Sequence, residues 1–321
     1  TAEWYKNRSE DLLYGVPVPT QAGVSNTSVT MNAASMDNSG FEFSATYRNH
    51  DNPLKYDISA NLSTLKNKVT SLGFGTNSYI TGAYATYVGQ EVGQFYGWVY
   101  EGIARTQGDL DNHATQQGAN VGDCLYKDVS GADGKPDGKI DGYDQVVLGS
   151  GLPKVNFGLS ARLEYKNFDL TISTYGSLNY HVSDDIYNSL NSCYGWGNKD
   201  VSILNANQYS SDGKTYISSV PRTYVTNNAS LAWNDLFSSR KIQNAAYWKI
   251  ANIELGYNLP NKWFKGIISG ARAYISAQNV YTFTGYHGYN VDYAGGTFTP
   301  GNNFCSFPTP HTYMCGVQFT F

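Results

Sequence analysis

The stretch Val155 to Leu178, VNFGLSARLEYKNFDLTISTYGSL, alternates apolar and polar residues through two runs. In the first, Val155, Phe157, Leu159, Ala161, Leu163 and Tyr165 share one face of an extended chain, and Asn156, Gly158, Ser160, Arg162 and Glu164 share the other. Strand side chains point to opposite faces with a period of two, so this pattern argues for strand over helix. After Lys166–Asn167 the second run sets Phe168, Leu170 and Ile172 against Asp169, Thr171 and Ser173. Two alternating runs joined so tightly predict a hairpin.

The period recurs along the chain. FEFSATYR sets Phe41, Phe43, Ala45 and Tyr47 against Glu42, Ser44, Thr46 and Arg48, and KYDISANLS does the same with Tyr56, Ile58, Ala60 and Leu62. ARAYISAQNVYTF and IANIELGYNLP are further strands, the latter less regular, and YMCGVQFTF closes the chain with Tyr313, Cys315, Val317, Phe319 and Phe321 on one face. Aromatic content of 15%, with 27 Tyr and 33 Gly, favours strands and turns throughout. The fold class expected is all-β.

A soluble β-sandwich alternates as a membrane barrel does. Here the second face is Ser, Asn, Asp, Glu, Arg and Gly, and the runs reach the roughly nine to eleven residues that cross a bilayer at a tilt. Aromatics mark the run ends (Tyr47, Tyr165, Phe168, Tyr257, Tyr281), as interface girdles do. Connections are unequal. Those at 49–53 and 166–167 are short, whereas those at about 105–154, 178–243 and 282–310 are long, the pattern of periplasmic turns and extracellular loops. No apolar run approaches the roughly 18–20 residues of a transmembrane helix, and TAEWYKNRSEDLLYG has no basic-then-apolar signal character. A net charge of −4 without basic runs excludes a nucleic-acid partner. Cys124, Cys193, Cys305 and Cys315 form no CxxC pair, and Cys315 reads as a small apolar strand residue rather than half a disulfide.

Six stretches taken in order carry a resemblance: NAASMDNSGFEFSATYR, VGQFYGWVYEGI, GDCLYKDVSGADGKPDGKIDGYDQVVLGSGLPKVNFGL, SRKIQNAAYWKIANIELGYNLP, ARAYISAQNVYTFTGYHGYNVD and the final GVQFTF. Together they resemble the carboxy-terminal part of a SusC-like TonB-dependent outer-membrane transporter. The resemblance implies an antiparallel transmembrane β-barrel of roughly 22 strands around a plug, of which residues 1–321 hold roughly the last nine or ten. It implies active import of a large nutrient, an oligosaccharide or a peptide, across the outer membrane of a Gram-negative cell. The partners implied are the amino-terminal half of the same transporter with its plug, the TonB complex acting through that plug, a SusD-like lid lipoprotein and outer-membrane lipid. Phe321, a terminal aromatic on an alternating strand, resembles the signal such barrels present to their assembly machinery. The reading that remains beside it is a secreted, soluble all-β glycan-binding or adhesin protein.

The most acidic segment lies between Asp128 and Asp144. Asp133, Asp137, Gly138, Asp141 and Asp144 fall at positions 1, 5, 6, 9 and 12 of an EF-hand-like loop, although Lys135 stands at position 3 and Asp replaces the long bidentate Glu at 12. With Asp128, these residues are the candidate Ca²⁺ ligands, and an unliganded acidic turn is the other reading.

An enzyme is not expected. His50, His113, His181, His287 and His311 are dispersed, no GxSxG or Walker A segment occurs, and Glu164 and Glu254 read as wall residues rather than a glycosidase pair. Aromatic loops at NSCYGWGNKD and TGYHGYNVDY nominate Tyr194, Trp196, Tyr286 and Tyr289 for substrate contact, since an aromatic face with polar edges stacks on sugar rings or peptide groups.

Overall fold

A computed structural model describes residues 1–17, 28–193, 197–224, 233–264, 268–292 and 295–321. Eight long strands run in line: β1 Ala2–Pro17, β2 Ser28–Asn49, β3 Leu54–Thr64, β4 Val155–Tyr165, β5 Phe168–Leu178, β6 Tyr247–Leu259, β7 Gly270–Thr284 and β8 Thr312–Thr320. Each pairs antiparallel with the next, and a ninth strand, Lys66–Ser71, branches from β2. Nine strands in one sheet agree with the count expected of a partial barrel. Among the described residues no helix is long and apolar enough to cross a membrane.

The register turns local alternation into faces. One row reads Tyr47, Ile58, Ala161, Ile172, Ile253, Ala277 and Tyr313 across seven strands. The next reads Tyr56, Leu163, Leu170, Leu255, Ile275 and Cys315. On the opposite face the rows are Arg48, Asp57, Arg162, Thr171, Glu254 and Ser276, then Thr46, Ser59, Ser160, Ser173, Asn252, Gln278 and Thr312. The wall therefore has an apolar side, where Ile58, Leu159, Leu255, Ile275 and Val317 lie exposed, and a polar side. Aromatic pairs bound the apolar band: Phe168 with Tyr257 (centroids 4.8 Å apart) at one level, Trp248 stacked on Phe283 (5.2 Å) at the other.

Strand ends alternate, so the connections 50–53, 166–167 and 260–269 gather at one end. Residues 50–53 join β2 to β3, Lys166–Asn167 join β4 to β5, and 260–269 join β6 to β7. Lys166 takes the left-handed φ of 56° that a two-residue hairpin turn demands. The long connections, 65–154, 179–246 and 285–311, all rise from the other end. The first begins at 65, earlier than strand patterning suggests, because Lys66–Ser71 pairs back along the upper part of β2. The irregularity of IANIELGYNLP is a bulge at Ala251, between the register positions of Ile250 and Asn252, opposite Asn279 at φ 53°. It keeps Ile250 and Ile253 on the apolar row positions while turning Lys249 to the polar side.

The long connections form a folded crown. Tyr14, Ala34, Met36, Val69, Leu72 and Val92 make one core. Tyr180, Val182, Ala245, Tyr247, Tyr286 and Val291 make a second, and Cys124, Tyr126 and Ile140 a third.

Candidate functional site

The crown is held by buried polar ties between segments distant in sequence. Asp123, fully buried, accepts two bonds from Arg222 (3.0 and 2.8 Å), one from Tyr224 Oη (3.1 Å), one from Asn234 Nδ2 (2.9 Å) and one from the backbone N–H of Asn120 (2.8 Å). A buried carboxylate needs that many donors to offset its lost hydration. Burial, with Asp123 beside it, pushes the Tyr224 phenol up, so it stays a donor. The tie clamps the first long connection to the second.

The five aspartates do not act as one group. Asp144 Oδ1 accepts the backbone N–H groups of Val129 (2.8 Å) and Ser130 (3.1 Å), and its Oδ2 accepts that of Asp141 (2.8 Å). Asp141, Asp133 and Asp137 each accept a backbone N–H two residues on, at 2.8, 3.1 and 3.0 Å. Asp128 Oδ2 accepts from Gly138 N (2.6 Å), while its Oδ1 is buried without a partner. Among the described residues no three acidic, His or Cys side chains converge. As arranged, these residues do not fit a Ca²⁺ cage, because among the described residues their side chains do not converge and each gives one or more oxygens to neighbouring backbone N–H groups. The loop folds on its own carboxylates.

The aromatic candidates divide. Tyr286 is only 6% exposed; its hydroxyl donates to Asp184 Oδ2 and accepts from Asn303 Nδ2 (2.6 Å). It is a post joining the second and third long connections, with no free face for a substrate. Tyr289 is 64% exposed and lines a cleft of about 280 Å³ with Lys249, Thr282, Thr284, Asn290 and His311. Lys249, on the polar face of β6 and 3% exposed, pairs with Asp292 at 2.6 Å, and Tyr175 Oη donates to the same carboxylate (3.1 Å). This cleft, at the crown end of the polar wall face, has an aromatic platform above hydroxyls, amides and a paired charge. Tyr194 and Trp196 lie outside the described residues.

Sequence comparison places this geometry. No protein-family model matches the chain. A TonB-dependent receptor of Formosa agariphila is 28% identical over 338 residues, 99% of this chain and 32% of that receptor. SusC of Bacteroides thetaiotaomicron, also a TonB-dependent receptor, is 25% identical over 337 residues, again 99% of this chain and 29% of the relative. The chain is a homologue of TonB-dependent receptors. It corresponds to about the carboxy-terminal third of those relatives in length. A solved structure of the RagAB peptide transporter superposes with a TM-score of 0.77 at 24% identity, covering all of this chain and 33% of that one, which shows the fold.

Set beside such receptors, the remaining candidates fall into place as wall residues. Phe321 follows β8 at the short-turn end and is 89% exposed. Glu164 is bound to Arg162 (2.8 Å) and Glu254 to Arg272 (2.7 Å), which also grips Asp169 through Nε (3.0 Å). Gly256 makes room for that guanidinium, since a Cβ there would lie 2.4 Å from it. The relatives are receptors and transporters by name. Sequence reading missed Lys249, Asp292 and the Asp123–Arg222 tie. Lys249 had a signal, a lone cation amid apolar neighbours in YWKIANIEL; Asp123 had none.

Proposed function

We propose that this chain is wall and crown of a TonB-dependent importer in the outer membrane of a Gram-negative cell. The observation that carries the reading is the pair of unbroken apolar rows across six and seven strands, solvent-facing on one side and backed by Arg, Asp, Glu and Ser on the other. In water such a band is an aggregation surface; in hydrocarbon it is the outer face of a barrel. Among the described residues β1 and β8 each leave one edge unpaired, and a bilayer tolerates no open edge, so in this reading further strands close the sheet. The chain spans about a third of the length of its curated relatives; in this reading the plug through which TonB acts lies in the remainder of the transporter.

In this reading the polar face looks into the lumen, the short turns lie in the periplasm and the crown faces outside. A large nutrient, oligosaccharide or peptide, is captured under a SusD-like lipoprotein lid, against the Tyr289 cleft among other surfaces. The Lys249–Asp292 pair fixes the cleft floor, and Tyr289 offers the exposed ring.

The test is extraction of the protein from outer membranes in mild detergent, with identification of every chain that co-purifies. A plug-bearing partner segment and a lipoprotein support the importer. Recovery of the protein alone and monodisperse in the soluble fraction overturns it in favour of a secreted glycan-binding protein.

A further inference from the structure

Register places four cations on the apolar face of the wall, at its crown end. Across β1, β2 and the ninth strand, Lys6 stands opposite Ser39 and Ser39 opposite Lys66; one row further, Arg8 stands opposite Asp37 and Asp37 opposite Lys68. With a period of two, Lys6 and Arg8 share a face with Ala2 and Trp4, while Lys66 and Lys68 share it with Leu62 and Thr64. The other face of the same stretch fixes this orientation. Asn67 and Val69 are buried, Val69 in the first crown core, and Asn67 donates to Asn38 Oδ1 (2.7 Å) and accepts from Val92 N (2.9 Å). The lysines between and beside them must therefore point outward.

Two carboxylates answer half of this charge. Asp37 Oδ2 lies 3.0 Å from Lys6 Nζ, and Glu10 Oε1 lies 2.8 Å from Arg8 Nε. Lys66 and Lys68 are exposed, and among the described residues neither forms an ion pair. Their Cα atoms are about 7 Å apart along one strand. Like charges so placed repel, and an anion set between them removes the repulsion. What lies below the cations decides the kind of anion. The row Ala2, Phe43, Leu62, Phe157, Gly176, Trp248 and Phe283 holds the crown-side aromatic pair, and exposed Trp4 and Phe41 stand one row nearer the lysines. Leu54 belongs to the row of Phe168 and Tyr257, at the short-turn end, and Thr64 Oγ1 accepts from Phe41 N (2.9 Å) at the other. At about 3.4 Å per residue and a tilt of about 40°, Leu54 to Thr64 climbs roughly 26 Å, the height of a barrel's apolar band. Lys66 and Lys68 are the next two outward residues.

A partner seated here must be apolar below and anionic above, which is the form of an anionic lipid. We infer that Lys6, Arg8, Lys66 and Lys68 clasp the phosphate of a lipid headgroup in the outer leaflet, with Lys66 and Lys68 as the two free cations. The acyl chains then run down the rows of Trp4 and Phe41 and of Phe43 and Leu62. Ammonium groups on flexible stems suit phosphate as point charges, without the fixed geometry of a guanidinium fork. The inference rests on the importer reading, which turns the apolar face to lipid.

The experiment uses the intact protein purified in an uncharged detergent, with binding of diphosphorylated lipid A and, separately, of phosphatidylcholine titrated by native mass spectrometry. Lipid A is expected to bind about thirtyfold more tightly than the zwitterionic lipid. Lys66→Gln with Lys68→Gln should weaken lipid A binding about thirtyfold, and Lys68→Gln alone about fivefold, which covers the case in which the pair does not fold. Lys66→Arg with Lys68→Arg should restore it. A charge-matched control on the polar face, Lys55→Gln with Arg162→Gln, should bind as the wild type does. Equal binding of the two lipids, a preference that Lys66→Gln with Lys68→Gln keeps, or one that the control loses equally, overturns the site and leaves the importer reading intact. Binding of inorganic phosphate with no preference between lipids assigns the cations to a soluble anion and overturns the lipid. A protein that is monodisperse without detergent removes the importer reading before any lipid is added, and the lipid site with it.

Discussion

The wall and the crown solve opposite problems with one chain. In the wall, Ile58, Leu159, Leu255, Ile275 and Val317 stay exposed on the apolar face, and stability comes from ladders between adjacent strands. In the crown, Phe95, Leu72, Cys124, Tyr126 and Tyr216 are buried, and distant segments are tied by carboxylates set among donors. In the proposed barrel the wall needs no core of its own because hydrocarbon covers one face, while the crown would stand in water and must bury its apolar groups against itself. The same residue type therefore means different things in the two regions. An aspartate in the crown is a tie; a leucine on the wall is exposed and, in the proposed barrel, faces lipid.

The largest effect should come from cutting a crown tie. Asp123→Ala leaves Arg222 buried without its partner and should cost the crown about 3–5 kcal/mol. Hydrogen exchange should accelerate at 216–224 and 233–239 while the wall strands stay protected. Equal loss in the wall would mean that the two regions are one cooperative unit.

Next in size is the sidedness of the wall. Ile172→Arg, on the apolar row, should destabilise by roughly 2–4 kcal/mol and reduce the amount of protein in outer membranes, whereas Thr171→Arg, one residue away on the polar face, should cost about 0–1 kcal/mol. Indistinguishable expression of the two variants would break the assignment of faces.

Smaller effects separate the two loop tyrosines. Tyr286→Phe removes the hydroxyl that serves Asp184 and should cost about 1–3 kcal/mol in unfolding experiments. Tyr289→Phe should stay within about 0.5 kcal/mol, being exposed. In the 128–144 segment, Asp144→Ala should open the loop to limited proteolysis, and a calcium chelator should leave the wild-type cleavage pattern unchanged.

The smallest expected signal is chemical. Burial pushes the Cys124 thiol up to about 12 and the Cys193 thiol up to about 11. A raised thiol stays protonated until the pH nears that value, so a water-soluble maleimide at pH 8 should leave both unmodified in folded protein. Exposed Cys305 should label quickly, and mass spectrometry of the labelled peptides reads the difference. Rapid labelling of Cys124 would show that the crown opens on that timescale.

Much of the wall was legible in the residues. The hairpin of β4 and β5 follows from alternation on either side of Lys166–Asn167, and the apolar rows follow from the same alternation once the register is known. The crown was not. Tyr286 and Tyr289 stand three residues apart in one loop with similar neighbours, yet one is a buried post and the other an exposed ring. The aspartates showed a ligand-like spacing, but spacing does not say which oxygens the backbone will claim first.

By itself the sequence determined strands, faces, and the unequal lengths of turns and loops, because period-two patterning and turn chemistry act between neighbours in the chain. Tertiary structure alone decided that Asp123 meets Arg222 99 residues away and Lys249 meets Asp292 43 away. It also decided that Ala251 bulges to turn Lys249 to the polar face. Such partners are chosen by long-range closure and by which buried groups can satisfy one another, and neither leaves a local pattern to read.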